Sequence, residues 1–451
     1  MRKLHADIAL TPDGWKPGIS VEISADGRIE SVTQPERPDR DSERVTALLP
    51  ALPNLHSHAF QRAIAGLTEV RGTQSDSFWT WREAMYRFLP KLNPDAIQAI
   101  AAQLHVELLE SGFAAIAEFH YLHHDTDGAA FTDPAETSGR IAAAAQDSSI
   151  GLTHLPVLYS HGDFGGMPAS DGQRRFLNDA EGFLRIRECA RAHLSRADDG
   201  VGLAFHSLRA VTPDQIAAIL SVVPDGPIHI HIAEQTREVD ACLSAYGARP
   251  VEWLIANAQV DARWCLVHAT HMSDGEITAL ARSGAVAGLC PTTEADLGDG
   301  IFPGAAYREA GGHWGVGTDS HVRTDAAEEL RLLEWSQRLA LRNRNVLADA
   351  GSSTGRTLYG EALSGGAQAL GRKSGRIEAG YWADLVALDT DHPVLSGKSG
   401  DALLDSWIFS GGKDCVSDVW AAGRHVVKQG RHVRRHTIGD AYRDVVSRLL
   451  A

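Results

Sequence analysis

Cysteine is scarce in this 451-residue chain: Cys189, Cys242, Cys265, Cys290 and Cys415 lie far apart, with no Cys-x-x-Cys among them. That pattern excludes a thiolate zinc motif and offers no disulfide framework, so reduced thiols and a cytoplasmic location are expected. No stretch reaches the roughly 18 uncharged apolar residues of a membrane span. The opening Met1-Arg2-Lys3-Leu4-His5-Ala6-Asp7 lacks the apolar segment of a signal peptide. A soluble, unprocessed protein is expected. Positive charge is also short, with 43 Lys and Arg against 58 Asp and Glu, a formal net charge of -15 and a pI near 5.7. Nucleic acid and anionic membrane both favour a basic face, so neither is an expected partner. No Gly-x-Gly-x-x-Gly follows an early strand, which argues against an open dinucleotide-binding sheet. Lysine is missing from the whole interval between Lys91 and Lys373.

The chain is 43% hydrophobic and 22% charged, ordinary for a globular protein large enough for one big core and a smaller companion domain. Residues 1–47 hold short alternating runs such as Ile19-Ser20-Val21-Glu22-Ile23-Ser24, broken by Ala25-Asp26-Gly27-Arg28. They predict a small β region. Residues 48–370 alternate short apolar runs with longer segments of helical period, the pattern of repeated βα units. The strand candidates are 48–55, 113–119, 151–158, 201–206, 227–232, 264–268, 285–290 and 314–318. Eight strands fit a closed (β/α)8 TIM barrel, preferred over a doubly wound sheet. Residues 371–451 return to β character through Ala383-Asp384-Leu385-Val386-Ala387-Leu388 and Val416–Val427, then end in a helix near 437–450. Both chain ends are expected to join in one small β-sandwich.

A barrel builds its active site at the C-terminal ends of its strands. His56 and His58 close strand one, and alternation along a strand points them to the same face. Strand five carries His229, His231 and, just beyond, Glu234; strand six ends at His268, with His271 three residues on; strand eight ends at Asp319. Three imidazoles and a carboxylate make an N/O set for Zn²⁺ or Fe²⁺ with room for a water. His229 is expected to pack deeper in the barrel, and His271 is equally compatible with a solvent-facing helix start.

This order, His-x-His, His-x-x-Glu, His and Asp at successive strand ends, resembles the amidohydrolase superfamily of metal-dependent barrels. The tail Ser374-Gly375-Arg376-Ile377-Glu378-Ala379-Gly380-Tyr381-Trp382-Ala383-Asp384 is similar to that superfamily's return into its β-sandwich. Many members bridge two metals with a lysine on strand four; the lysine-free interval here implies one divalent ion per subunit, as in the deaminase branch. The resemblance implies His56, His58, His231 and Asp319 as ligands, with Zn²⁺ as the ion. It further implies that Asp319 and His268 take a proton from water while Glu234 passes it to a departing amine.

Longer stretches, Asn54–Arg62, Ser77–Glu83, Ala117–Tyr121, Phe205–Arg209 and Val267–His271, resemble the formimidoylglutamate deiminase family of histidine breakdown. The resemblance implies hydrolysis of N-formimino-L-glutamate to N-formyl-L-glutamate and ammonia, in a homodimer. It implies Gln61, Arg82, Tyr121, His206 and Arg209 as substrate-binding residues. A dicarboxylate amidine suits them, since each arginine can grip one carboxylate through a bidentate pair. Phe78, Trp79, Trp81, Tyr86 and Phe88 are expected to form a packing or dimer-contact segment that incidentally presents Arg82. A heterocycle deaminase or chlorohydrolase of guanine or triazine type is the rival reading, and a metal-free structural barrel a more distant one.

Overall fold

The computed structural model describes residues 2–72 and 76–451. Four strands open the chain: β1 (Arg2–Thr11), β2 (Gly14–Ile23), β3 (Ile29–Thr33) and β4 (Glu43–Pro50). Only Ala51 then separates β4 from the first barrel strand, β5 (Leu52–Ser57). The apolar run at 48–55 is therefore divided: Leu48–Pro50 complete the small sheet, and the barrel begins at Leu52.

The barrel continues with β6 (Phe113–His120), β7 (Gly151–Leu158), β8 (Gly200–Val201), β9 (Leu203–Ser207), β10 (Ile228–Ile232), β11 (Trp264–His268), β12 (Val286–Leu289) and β13 (His313–Val316). All eight expected strands are present, the fourth broken at Gly202 into β8 and β9. They pair in parallel in the order β5-β6-β7-β9-β10-β11-β12-β13, with β8 beside β7. Parallel barrel strands are covered on both faces, and β6, β7, β10 and β11 are buried at every position.

Closure lies beyond the end of β13. Thr318 N and Asp319 N donate to the His56 carbonyl at 3.2 and 3.1 Å, and His58 N donates back to the Asp319 carbonyl at 3.1 Å. This approach requires Gly317, where a Cβ would stand 2.7 Å from His56 N. The segments carrying His56, His58 and Asp319 are thereby hydrogen-bonded to one another.

The chain's end supplies β14 (Leu385–Leu388), β15 (Val416–Ala421), β16 (Arg424–Lys428) and β17 (Arg431–His432). Both ends meet in one eight-stranded sheet, β17-β16-β15-β14-β4-β1-β2-β3, separate from the barrel. Leu4, Val21, Ile29, Leu48, Leu385 and Trp420 share its own small core. Asp198, from the loop before β8, pairs with Arg424 at 2.6 Å and Arg372 at 3.4 Å, and Arg372 pairs with Asp384 at 2.7 Å. These charges are mutually compensated, so their burial ties sheet to barrel. The last helix, Arg435–Leu450, begins two residues earlier than its sequence pattern indicates. Among the described residues, no helix is long and apolar enough to cross a membrane.

Candidate active site

The side chains at the C-terminal ends of the barrel strands converge. The Nε2 atoms of His56, His58 and His231 form a triangle with edges of 3.2, 3.2 and 3.0 Å. Asp319 Oδ1 stands 3.4 Å from both His56 Nε2 and His58 Nε2. Ligands held about 2.0–2.1 Å from a tetrahedral ion lie roughly 3.3 Å apart, so these edges suit Zn²⁺ or an ion of similar size. The tautomers suit it as well. His58 Nδ1 donates to the Phe119 carbonyl at 2.9 Å and His231 Nδ1 to the His206 carbonyl at 3.0 Å, leaving each Nε2 lone pair facing the triangle. Burial keeps all three imidazoles neutral, His58 with its pKa pulled down to about 3.

His268 stands just outside this set, with Nε2 3.7 Å from Asp319 Oδ2 and 3.8 Å from Glu234 Oε1. Its Nδ1 donates to Glu294 Oε1 at 3.2 Å. Burial opposes its charge, but Glu234, Glu294 and Asp319 outweigh that and hold its pKa well above the ordinary histidine value. Burial pushes the Glu234 carboxyl up to about 7, with His268 opposing. Backbone geometry is unusual at these strand ends: Ala233, His268, Ala269, Asp319 and His321 all have positive φ, between 46° and 68°. Such strain in non-glycine residues collects where a functional geometry is imposed.

A cavity opens over His58, His231, His268 and Asp319. Gln61, Arg82, Tyr121, His206, Arg209 and Glu234 all line it, whereas His56 sits behind the wall. Gln61 Nε2 donates to the Tyr121 hydroxyl at 3.0 Å. Arg209 is buried, and its Nε has no hydrogen-bond partner among the described residues. Trp79 has three guanidiniums over its ring, those of Arg82 and Arg237 at 4.5 Å and Arg209 at 5.6 Å. Cation-π contact holds cations on a ring face without satisfying their charge, leaving them available to an anion.

The aromatic segment corrects the sequence expectation. It forms the helix α1 (Phe78–Phe88), and Phe78, Trp81 and Tyr86 join Arg82 in the cavity wall, so the segment covers the site directly. His229 is packed and donates to the Ala369 carbonyl at 2.8 Å. His271 faces the protein: its Nε2 donates to the Asp299 carbonyl at 2.8 Å.

Two supporting groups escape the sequence reading. Glu294, which orients His268, follows β12 on the short helix Pro291–Leu297. Its place after a barrel strand is the signal that could have found it. The other is a buried chain of polar side chains. Ser57 Oγ donates to Glu118 Oε2 at 2.5 Å and lies 2.9 Å from His321 Nε2, and His321 Nδ1 lies 2.8 Å from Thr318 Oγ1. Asn54 Nδ2 donates to Thr318 Oγ1 at 2.6 Å and Ala59 N to Glu118 Oε1 at 2.9 Å. Asn54 and Ser57 neighbour the His-x-His and Thr318 and His321 neighbour Asp319 in sequence, whereas Glu118 comes from β6; none of the five lines the cavity.

Residues 47–426 match the family model described as "Amidohydrolase family". The chain belongs to the amidohydrolase family. Residues 1–45 of this amidohydrolase match a second model, "Formimidoylglutamate deiminase HutF, N-terminal domain". A formimidoylglutamate deiminase from Pseudomonas aeruginosa is 53% identical over 452 residues, covering 100% of both chains. A solved amidohydrolase from Brucella melitensis superposes with a TM-score of 0.96 at 46% identity, again over 100% of both chains. An adenosine deaminase from Xanthomonas campestris, solved with bound zinc, shares the fold at a TM-score of 0.81 and 21% identity, over 99% and 98% of the two chains.

Proposed function

We propose that this amidohydrolase converts N-formimino-L-glutamate and water to N-formyl-L-glutamate and ammonia, with one Zn²⁺ held by His56, His58, His231 and Asp319. The observation that carries the reading is one cavity in which His58, His231 and Asp319 of that set face Arg82, Arg209, Gln61, Tyr121 and His206, with His56 directly behind them. Its likeness to the Pseudomonas aeruginosa enzyme supports the substrate. The tetrahedral spacing of the donor atoms, and the zinc of the Xanthomonas campestris relative, support the metal.

A divalent ion bound there supplies the positive charge that makes water a nucleophile near neutral pH. The protein arranges everything else. Arg82 and Arg209 grip the two carboxylates through charge-assisted pairs, which stretches the substrate along the cavity and leaves its formimino carbon over the histidine triangle. Tyr121 and His206 add polar contacts beside it. Asp319 takes the proton that water loses on attacking the C=N carbon, and His268, held charged by its carboxylate neighbours, stabilises the negative charge that develops on the attacking oxygen. Glu234, whose carboxyl titrates near neutrality, carries a proton to the leaving nitrogen so that it departs as ammonia. α1 covers the cavity and limits competing water.

We also place the enzyme in the cytoplasm, in histidine breakdown, as a homodimer. Free thiols at all five cysteines support the compartment. Exposed Trp335 and Leu339, one turn apart on the helix Ala326–Leu341, offer an apolar surface for a second copy. The deciding assay is ammonia release from N-formimino-L-glutamate by zinc-loaded protein. Turnover of that substrate supports the reading; no turnover, with release of ammonia from guanine instead, overturns it.

A further inference from the structure

We infer that Glu234, His268 and Asp299 form a second, weaker divalent-cation site beside the His56, His58, His231 and Asp319 set, and that an ion bound there inhibits the enzyme. Each of the three offers a ligand atom, these atoms lie within 4.8 Å of one another, and all three residues are buried. His268 Nε2 stands 3.8 Å from Glu234 Oε1. His268 Nδ1 donates to Glu294, the carboxylate–histidine arrangement common behind metal ligands, so a cation that takes the place of the Nε2 proton meets a lone pair aimed at this group.

Asp299 supplies the independent observation. It is only 5% exposed, yet its Oδ2 has no hydrogen-bond partner among the described residues. A buried carboxylate oxygen without a partner is costly, and a cation would satisfy it. Its position is built. Asp299 N donates to the Glu294 carbonyl at 2.9 Å, its own carbonyl accepts from His271 Nε2, and its Oδ1 accepts from Gln235 Nε2. Glu234 and His268 also line the cavity, so an ion reaches them by the route that substrate takes. Two carboxylates and one imidazole suit Zn²⁺, Co²⁺ or Mn²⁺, with remaining positions open to water.

The inhibitory half rests on the proposed function, because an ion at this place occupies Glu234 and His268, the groups assigned there to proton delivery and charge stabilisation. The binding half does not. The experiment takes full-length protein carrying one equivalent of Zn²⁺ and titrates further Zn²⁺, measuring bound metal by equilibrium dialysis with elemental analysis and ammonia release in parallel. Wild type takes up a second equivalent, and its rate falls as that equivalent binds. Asp299→Asn, isosteric and still able to accept from Gln235, keeps the first equivalent and the basal rate but needs at least about tenfold more Zn²⁺ both to fill the second site and to reach half-inhibition. Co²⁺ added as the second ion to wild type gives a visible absorption band as a check that needs no variant. No second equivalent and no Co²⁺ band in wild type overturns the site, as does an unchanged second affinity in Asp299→Asn. Second-equivalent binding in a protein that never turns over N-formimino-L-glutamate leaves the site standing and overturns the proposed function instead.

Discussion

Ser57 donates a 2.5 Å hydrogen bond to Glu118, which ties the residue between His56 and His58 to the neighbouring strand β6. The same carboxyl accepts from Ala59 N, so Glu118 grips the His-x-His segment on both sides of His58. Removing it frees one backbone and one side-chain donor inside the protein, each costing about 1–3 kcal/mol. Glu118→Ala is therefore expected to lower the melting temperature and weaken zinc retention about 10–100-fold, read by metal content after dialysis against a graded chelator. Unchanged zinc retention would show that the histidines hold their geometry without Glu118.

Glu118 also predicts a pH dependence of stability. Burial raises its carboxyl pKa from 4.5 to about 8, so the folded state binds this proton more tightly than the unfolded chain does. Stability from this group is full below the unfolded value and declines as pH rises through about 8. Glu118→Gln removes the titration. Its melting temperature should fall less than that of wild type between pH 5 and pH 8, two conditions chosen to bracket most of that transition. Parallel curves for the two proteins would refute the assignment.

Glu234→Gln keeps the shape of the cavity wall but cannot carry a proton. Its kcat should fall about 10²–10⁴-fold, the usual contribution of one positioned acid–base group, with KM changed little. Steady-state ammonia release measures both. A raised KM with kcat intact would make Glu234 a binding residue.

Arg209 is buried in the cavity wall with its Nε unpartnered among the described residues. Losing it from a charge-assisted pair with a substrate carboxylate is expected to cost about 2–5 kcal/mol in kcat/KM. Arg209→Lys should recover little, because an ammonium does not reproduce the planar bidentate fork. Full activity in Arg209→Ala would indicate that the dicarboxylate is bound elsewhere.

Metal removal should abolish activity and reduce stability together. A ligand present at 100 times its dissociation constant stabilises the folded state by about 2.7 kcal/mol, so chelation should produce a measurable drop in melting temperature that added Zn²⁺ reverses. His231→Ala, missing one corner of the triangle, should show neither the drop nor the recovery.

Much of this protein is determined locally. Parallel barrel strands bury both faces, so β6 and β7 appear in sequence as short unbroken apolar runs, and their boundaries follow from composition alone. His56 and His58 share a direction because strand alternation is a local property. Strand-end position then selects His231, Glu234, His268 and Asp319. The residues proposed to bind substrate are legible only through resemblance, since a single arginine or glutamine has no period to mark its role.

Only the tertiary structure decided which side chains support these groups. Ser57 finds Glu118 61 residues away because β5 pairs with β6, and His321 264 residues away because the barrel closes between β13 and β5. Glu294 and Asp299 acquire meaning from the place where the segment after β12 crosses His268. The aromatic helix α1 could have packed on any apolar surface, since helical periodicity specifies that a face is buried but not what it covers. Local pattern sets element and direction. Contact between distant segments is set by how the strands close and the helices cross, which no short stretch of sequence contains.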